Sequence, residues 1–146
     1  MGFIVYYSFP AAPPWYVQLN GFDFYPDTPG NTAGLARFDD FFNIHLFRDL
    51  YTKSSNVFAA MPSLHSAYPA LVLYFSIKNK LGFISLIFLV ITIGIWIAAV
   101  YTNHHYILDV IAGIIIAACG IWVFEKGIMS IGYLRNKVNR LVAQVS

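Results

Sequence analysis

Apolar residues run almost unbroken from position 81 to 102 and again from 105 to 124, the first stretch without a formal charge and the second with only Asp109. Each is long enough to cross a bilayer, which takes roughly 20 residues. A third apolar run, 62–77, is shorter, but Lys78 and Lys80 just beyond it can snorkel and extend it. The pattern therefore predicts three membrane-spanning helices. Residues 1–9 are apolar but too short to span. They lack the basic start of a signal peptide and carry Tyr6 where a myristoylation signal has Ser or Thr. They predict the end of a helix whose beginning is missing.

Between these runs the pattern changes. Residues 10–34 are dense in Pro, Gly, Asn and Asp and predict ordered turns without helix. Trp15, Tyr16, Phe22, Phe24 and Tyr25 there suit the headgroup layer of a membrane. Leu35, Phe38, Phe42, Leu46 and Leu50 then recur near helical spacing and predict an amphipathic helix on the membrane surface. After position 125 a basic tail places Ile131, Leu134, Val138 and Leu141 on one apolar stripe, again interfacial. The expected organisation is a single membrane domain: a stub (1–9), an aromatic loop with a surface helix (10–61), a core (62–125) and a basic tail (126–146).

Composition agrees. Of 146 residues, 58% are hydrophobic and 11% charged, against about 25% charged in soluble domains. The net charge of +2 comes without a basic groove or stacking motif, so no nucleic-acid partner is expected. The single Cys119 excludes a disulfide framework and a thiolate zinc site. Lys78 and Lys80 lie between the first two spans, and Lys126, Arg135, Lys137 and Arg140 follow the third. Short basic loops stay cytoplasmic, so loop 10–61 and the turn TNHH are expected together on the exoplasmic face.

That face carries the candidate chemistry. In HHYILD, His105 and Asp109 are four apart and would share one face of a helix capped by Asn103. A carboxylate near the membrane needs a partner, and an Asp that accepts one ring N–H leaves the other nitrogen free to attack or take a proton. In the first helical turn the dipole would also keep His105 neutral. His104, about 100° round the helix, reads as structural, or at most as a neighbour of the reacting groups. In PSLH, Pro62 suits the first helical position. The N–H groups of Ser63 and Leu64 would then be unpaired at an anion-binding terminus, with His65 one turn in as a proton donor. Either motif alone is more often a capped helix with an interfacial histidine. Two on one face fit phosphoryl transfer through a phosphohistidine. Arg37 is the favoured phosphate clamp, although Arg37, Arg48 and Lys53 each have Asp39, Asp40 or Asp49 nearby to balance them. His45 reads as interfacial. The small residues along Ala112, Gly113, Ile116 and Gly120 predict close helix packing.

PSLH and HHYILD resemble the second and third signature motifs of the type 2 phosphatidic acid phosphatase superfamily, a six-helix membrane fold. FPAAPPWY (9–16) and PGNTAGLARFD are similar to its inositol phosphorylceramide synthase branch. The resemblance covers roughly residues 5–125 in order. It implies His105 as nucleophile, Asp109 as its orienting partner and His65 as the acid, with no metal or other cofactor. It also implies phospholipid and lipid-alcohol substrates within the membrane, with transfer of an inositol-phosphate type headgroup to an alcohol such as ceramide. The chain departs from the wider superfamily at Ala98 and Ala99, where the pattern has Ser–Arg, and it lacks the first motif and the first helices. It is therefore expected to be N-terminally truncated, completed by those helices or another subunit. Three alternatives stand beside this reading: a lipid phosphate phosphatase, a metal site of His65, His105 and Asp109, and an inactive membrane segment.

Overall fold

The computed structural model is all-helical among the described residues, 2–53 and 56–145. Met1, Ser54, Ser55 and Ser146, which belong to the expected segments 1–9, 10–61 and 126–146, lie outside them, as does the side chain of Leu141. The helices are α1 (Gly2–Ser8), α2 (Pro14–Asn20), α3 (Ala36–Phe42), α4 (Leu46–Thr52), α5 (Leu64–Lys78), α6 (Phe83–Tyr101), α7 (Ile107–Trp122) and α8 (Gly132–Val145). α7 continues through a π-helical turn, Val123–Gly127.

Phe83–Tyr101 and Ile107–Gly127 are long and apolar enough to cross a membrane. Both leave most of their apolar surface uncovered, as a lipid-facing helix must. With 15 residues, α5 reaches only about 22 Å at the usual helical rise. It packs against both α6 and α7, which barely touch each other. Pro69 inside α5 removes one backbone donor. Donors from α6 sit around this point: Trp96 Nε1 donates to the Ser66 carbonyl at 3.3 Å and Thr92 Oγ1 lies 3.4 Å from that of Pro69. At the other end of the helices, Glu125 accepts from Tyr74 (2.8 Å) and pairs with Lys78.

Three sequence expectations are corrected here. The 10–34 stretch contains a helix, because Pro14 occupies the first helical position, where a missing N–H costs nothing. Within it Trp15 and Tyr16 are buried, while Phe22 is 98% exposed. Tyr16 holds the following loop: its hydroxyl donates to the Asp23 carbonyl and accepts the Tyr25 N–H, both at 2.8 Å. The single surface helix is broken into α3 and α4. Asn43 takes a left-handed conformation (φ 52°), and buried Asp39 accepts the N–H groups of Phe47 (3.2 Å) and Arg48 (2.9 Å), starting a new helix. On α7 the packed positions are Val110, Gly113 and Ala117; Gly120 faces open space.

Candidate active site

The N-terminal ends of α5 and α7 are locked together. Ser63 N–H donates to the Asp109 carbonyl (3.0 Å), and Ser66 Oγ lies 2.8 Å from the Ser63 carbonyl and 2.9 Å from that of Val110. Only glycine fits at 113: a Cβ there would stand 2.1 Å from Ser66 Oγ and 2.3 Å from the Ser63 carbonyl oxygen. Loop backbone closes the rest of this end. Trp15 N–H reaches the Asn103 carbonyl (3.1 Å), Gly34 N–H the Thr102 carbonyl (2.9 Å), and Ala60 N–H the Ala11 carbonyl (3.2 Å).

Inside this frame the two motif histidines meet, forty positions apart in sequence, with His65 Nδ1 3.2 Å from His105 Nε2. The other ring nitrogen of His105, Nδ1, lies 2.9 Å from the Ala60 carbonyl. A carbonyl only accepts, so the proton is on Nδ1 and Nε2 carries a lone pair. That lone pair accepts from His65 Nδ1–H. The arrangement holds a basic nitrogen and a proton donor together, the two kinds of group that nucleophilic and general-acid chemistry use.

Asp109 stands differently from the expectation. Its Oδ2 accepts the Tyr106 N–H at 2.8 Å and is 3.7 Å from His105 Nδ1. It caps the helix and acts on His105 through charge, while a backbone carbonyl sets the tautomer. Asn103 is not the cap. It takes φ 60° in the turn, and α7 starts at Ile107, so His105 precedes the helix instead of sitting in its first turn. The Ser63 N–H is likewise not free, being bonded to Asp109; Pro62 lies ahead of the helix. The Leu64 backbone bonds the Tyr6 hydroxyl, which also donates to the Pro62 carbonyl at 2.7 Å. Arg37 is set apart from the histidines. Its guanidinium lies over the Tyr101 ring at 5.8 Å, with Nη1 3.3 Å from the Tyr101 hydroxyl. Arg48 pairs with Asp40 at 2.6 Å. Among the described residues no three His, Cys, Asp or Glu side chains converge to hold a metal ion.

Two cavities open off the pair. One, of about 210 Å³, is walled by Trp15, Gly30, Asn31, Tyr51, Asn56 and the histidines. The other, of about 200 Å³, is apolar, with Leu35, Phe47, Ile95, Ala98 and Ala99. Tyr51, His65, His104 and His105 line both. Sequence reasoning passed over Tyr51 and gave His104 only a minor place. His104 Nδ1 is 2.9 Å from Thr102 Oγ1, and its ring meets that of Tyr51 at 4.7 Å, tilted by 49°. Burial, with the neighbouring His105 adding to it, pushes His104 down to about 4, so the ring is neutral near pH 7. Burial also raises the Tyr51 hydroxyl above its ordinary range. The doubled histidine in HHYILD was the available signal for this second ring.

Residues 1–123 match the family model of the PAP2 superfamily. The chain belongs to the PAP2 superfamily. It is 47% identical over 141 residues to the phosphoinositol dihydroceramide synthase of Bacteroides thetaiotaomicron, covering 96% of this chain and 46% of that protein. It is 36% identical over 121 residues to the inositol phosphorylceramide synthase catalytic subunit of Saccharomyces cerevisiae, 80% of this chain and 29% of that one. The Candida albicans inositol phosphorylceramide synthase is 31% identical over 128 residues, 86% of this chain and 26% of that protein. This PAP2 chain thus spans less than half the length of the curated relatives it matches. No solved structure matches it. Its apolar spans and these membrane-lipid relatives make it a membrane protein.

Proposed function

We propose that the chain carries the catalytic end of a lipid phosphotransferase that moves a phosphorylated headgroup of the inositol-phosphate type from a phospholipid to a lipid alcohol such as ceramide. The observation that carries this is the His65–His105 contact, with the His105 proton held on Nδ1 by the Ala60 carbonyl. In the first half-reaction His105 Nε2 attacks phosphorus, the bond to the glycerolipid oxygen breaks, and His65 protonates that oxygen. In the second, the acceptor hydroxyl attacks the phosphohistidine, gives its proton to His65, and the P–N bond breaks. Asp109, 3.7 Å from Nδ1, offsets the positive charge that His105 gains while phosphorylated. The positive end of α5, at His65, faces the phosphate in this reading. Arg37 reaches it only by leaving the Tyr101 ring. The apolar cavity beside the histidines supports a lipid acceptor over water as the second substrate.

In this reading α5 is also a span, its short length extended at the Lys78 end by snorkelling. Six of the nine Lys and Arg residues sit at or beyond the ends of the spans away from the histidines. That distribution supports a site on the exoplasmic face. The test is an assay in lipid nanodiscs with phosphate-labelled phosphatidylinositol and ceramide. Label should appear on ceramide; release only as water-soluble inositol phosphate or phosphate would make the protein a hydrolase and overturn the transferase reading.

A further inference from the structure

We propose that the 210 Å³ cavity is a polyol subsite in which Asn31 and Asn56 present amide N–H groups to the hydroxyls of an uncharged, multiply hydroxylated headgroup. This rests on the phosphotransferase reading above and specifies what that donor carries. Both asparagines line the cavity, one from each of two separate loops. Asn31 Oδ1 accepts the Ala33 N–H at 2.7 Å, and Asn56 Oδ1 accepts the Phe58 N–H at 3.1 Å. A backbone N–H only donates, so the atoms facing it are oxygens and the amide orientations are fixed. Each side chain is thereby held by its own loop, with its NH₂ group making no other hydrogen bond among the described residues. Two loops so bring four N–H donors to a cavity that His65 and His105 also line.

The chemistry of the lining selects the ligand. Among the described residues, no Asp, Glu, Lys or Arg lines this cavity. A choline or ethanolamine headgroup would find no counter-charge and would face amide donors of the wrong polarity. A second anionic group would find no cation. A ring of hydroxyls, each able to accept one amide N–H and donate onward, meets the lining without a buried charge. The cavity and the apolar one share His65 and His105, so a headgroup in the first and a lipid chain in the second would bring the phosphate to Nε2.

The test compares two donors in nanodiscs: phosphatidylinositol, and phosphatidylmethanol, which has the same phosphodiester but no polyol. The variants are Asn31→Ser and Asn56→Ser, uncharged and still able to accept the loop N–H, together with Asn31→Asp and Asn56→Asp. In each, the ratio of kcat/KM for phosphatidylinositol over phosphatidylmethanol should fall about tenfold, the size of one lost hydrogen bond to a substrate hydroxyl. An unchanged ratio in the serine variants, whether both donors slow alike or neither does, overturns the subsite. If the wild type turns over neither donor, the phosphotransferase reading fails, and equilibrium binding of labelled inositol 1-phosphate decides the subsite. Wild-type binding that weakens about tenfold in the serine variants upholds it; no binding, or binding indifferent to them, overturns it.

Discussion

At the scale of single residues the account turns on which nitrogen carries which proton. The Ala60 carbonyl fixes Nδ1–H on His105, and His65 Nδ1 then points its proton at the nucleophilic lone pair. In the proposed first step, bonding of Nε2 to phosphorus removes that acceptor and frees the His65 proton for the leaving oxygen. His65→Ala should therefore abolish turnover of a lipid alkoxide donor but partly recover with a nitrophenyl phosphodiester, whose phenolate needs no proton. General-acid help is worth about 10²–10⁴-fold, so the difference between the two donors should be large in a steady-state assay. Equal loss on both would remove the acid role. That His65, His105 and Asp109 lie together was legible from their motifs and spacing. The Ala60 carbonyl was not, since a backbone acceptor leaves no trace in side-chain identity. Arg37 drew attention because cations are scarce, and nothing in the sequence showed the Tyr101 ring beneath it.

At the scale of elements, the site exists because α5 and α7 approach until Ser63 bonds the Asp109 carbonyl. Gly113 permits that distance, so Gly113→Ala should push the two helix starts apart. Overpacking of this kind costs roughly 1–3 kcal/mol, here with a Cβ set against both a hydroxyl and a carbonyl. A thermal melt should show the loss, and activity should fall further than stability, since His65 rides on the displaced helix. A Gly113→Ala protein with unchanged melting and turnover would show that the helices do not meet this closely. The long spans were legible because an uninterrupted apolar run has one membrane solution. The break between α3 and α4 was not. It depends on Asn43 accepting a left-handed turn and on Asp39 of α3 capping the first turn of α4, while the apolar spacing runs through it unchanged.

At the scale of the molecule, the histidine end and the Lys78–Glu125 end lie at opposite ends of α5 and α7. On the proposed topology, the basic residues of the second end keep it in the cytoplasm and the histidine end outside. Phe22, 98% exposed in the loop of the histidine end, is the place to test this; Asn103, with φ 60°, would be strained by a cysteine. Phe22→Cys in a Cys119→Ala background should react with an impermeant maleimide added to intact cells. Reaction only after permeabilisation would invert the topology. The family and the order of its motifs were legible along the chain, whereas the two cavities were not, because they are built by loops whose courses follow backbone bonds to the α6–α7 turn. All of it serves one claim, that phosphorus passes through His105. The direct measurement is to quench the working enzyme in base after mixing with phosphate-labelled phosphatidylinositol and map the label by peptide mass spectrometry. The account predicts label on His105, absent from His105→Gln and increased when ceramide is withheld. A wild-type enzyme that transfers headgroup with no label on His105, or a labelled His105→Gln protein, would contradict it.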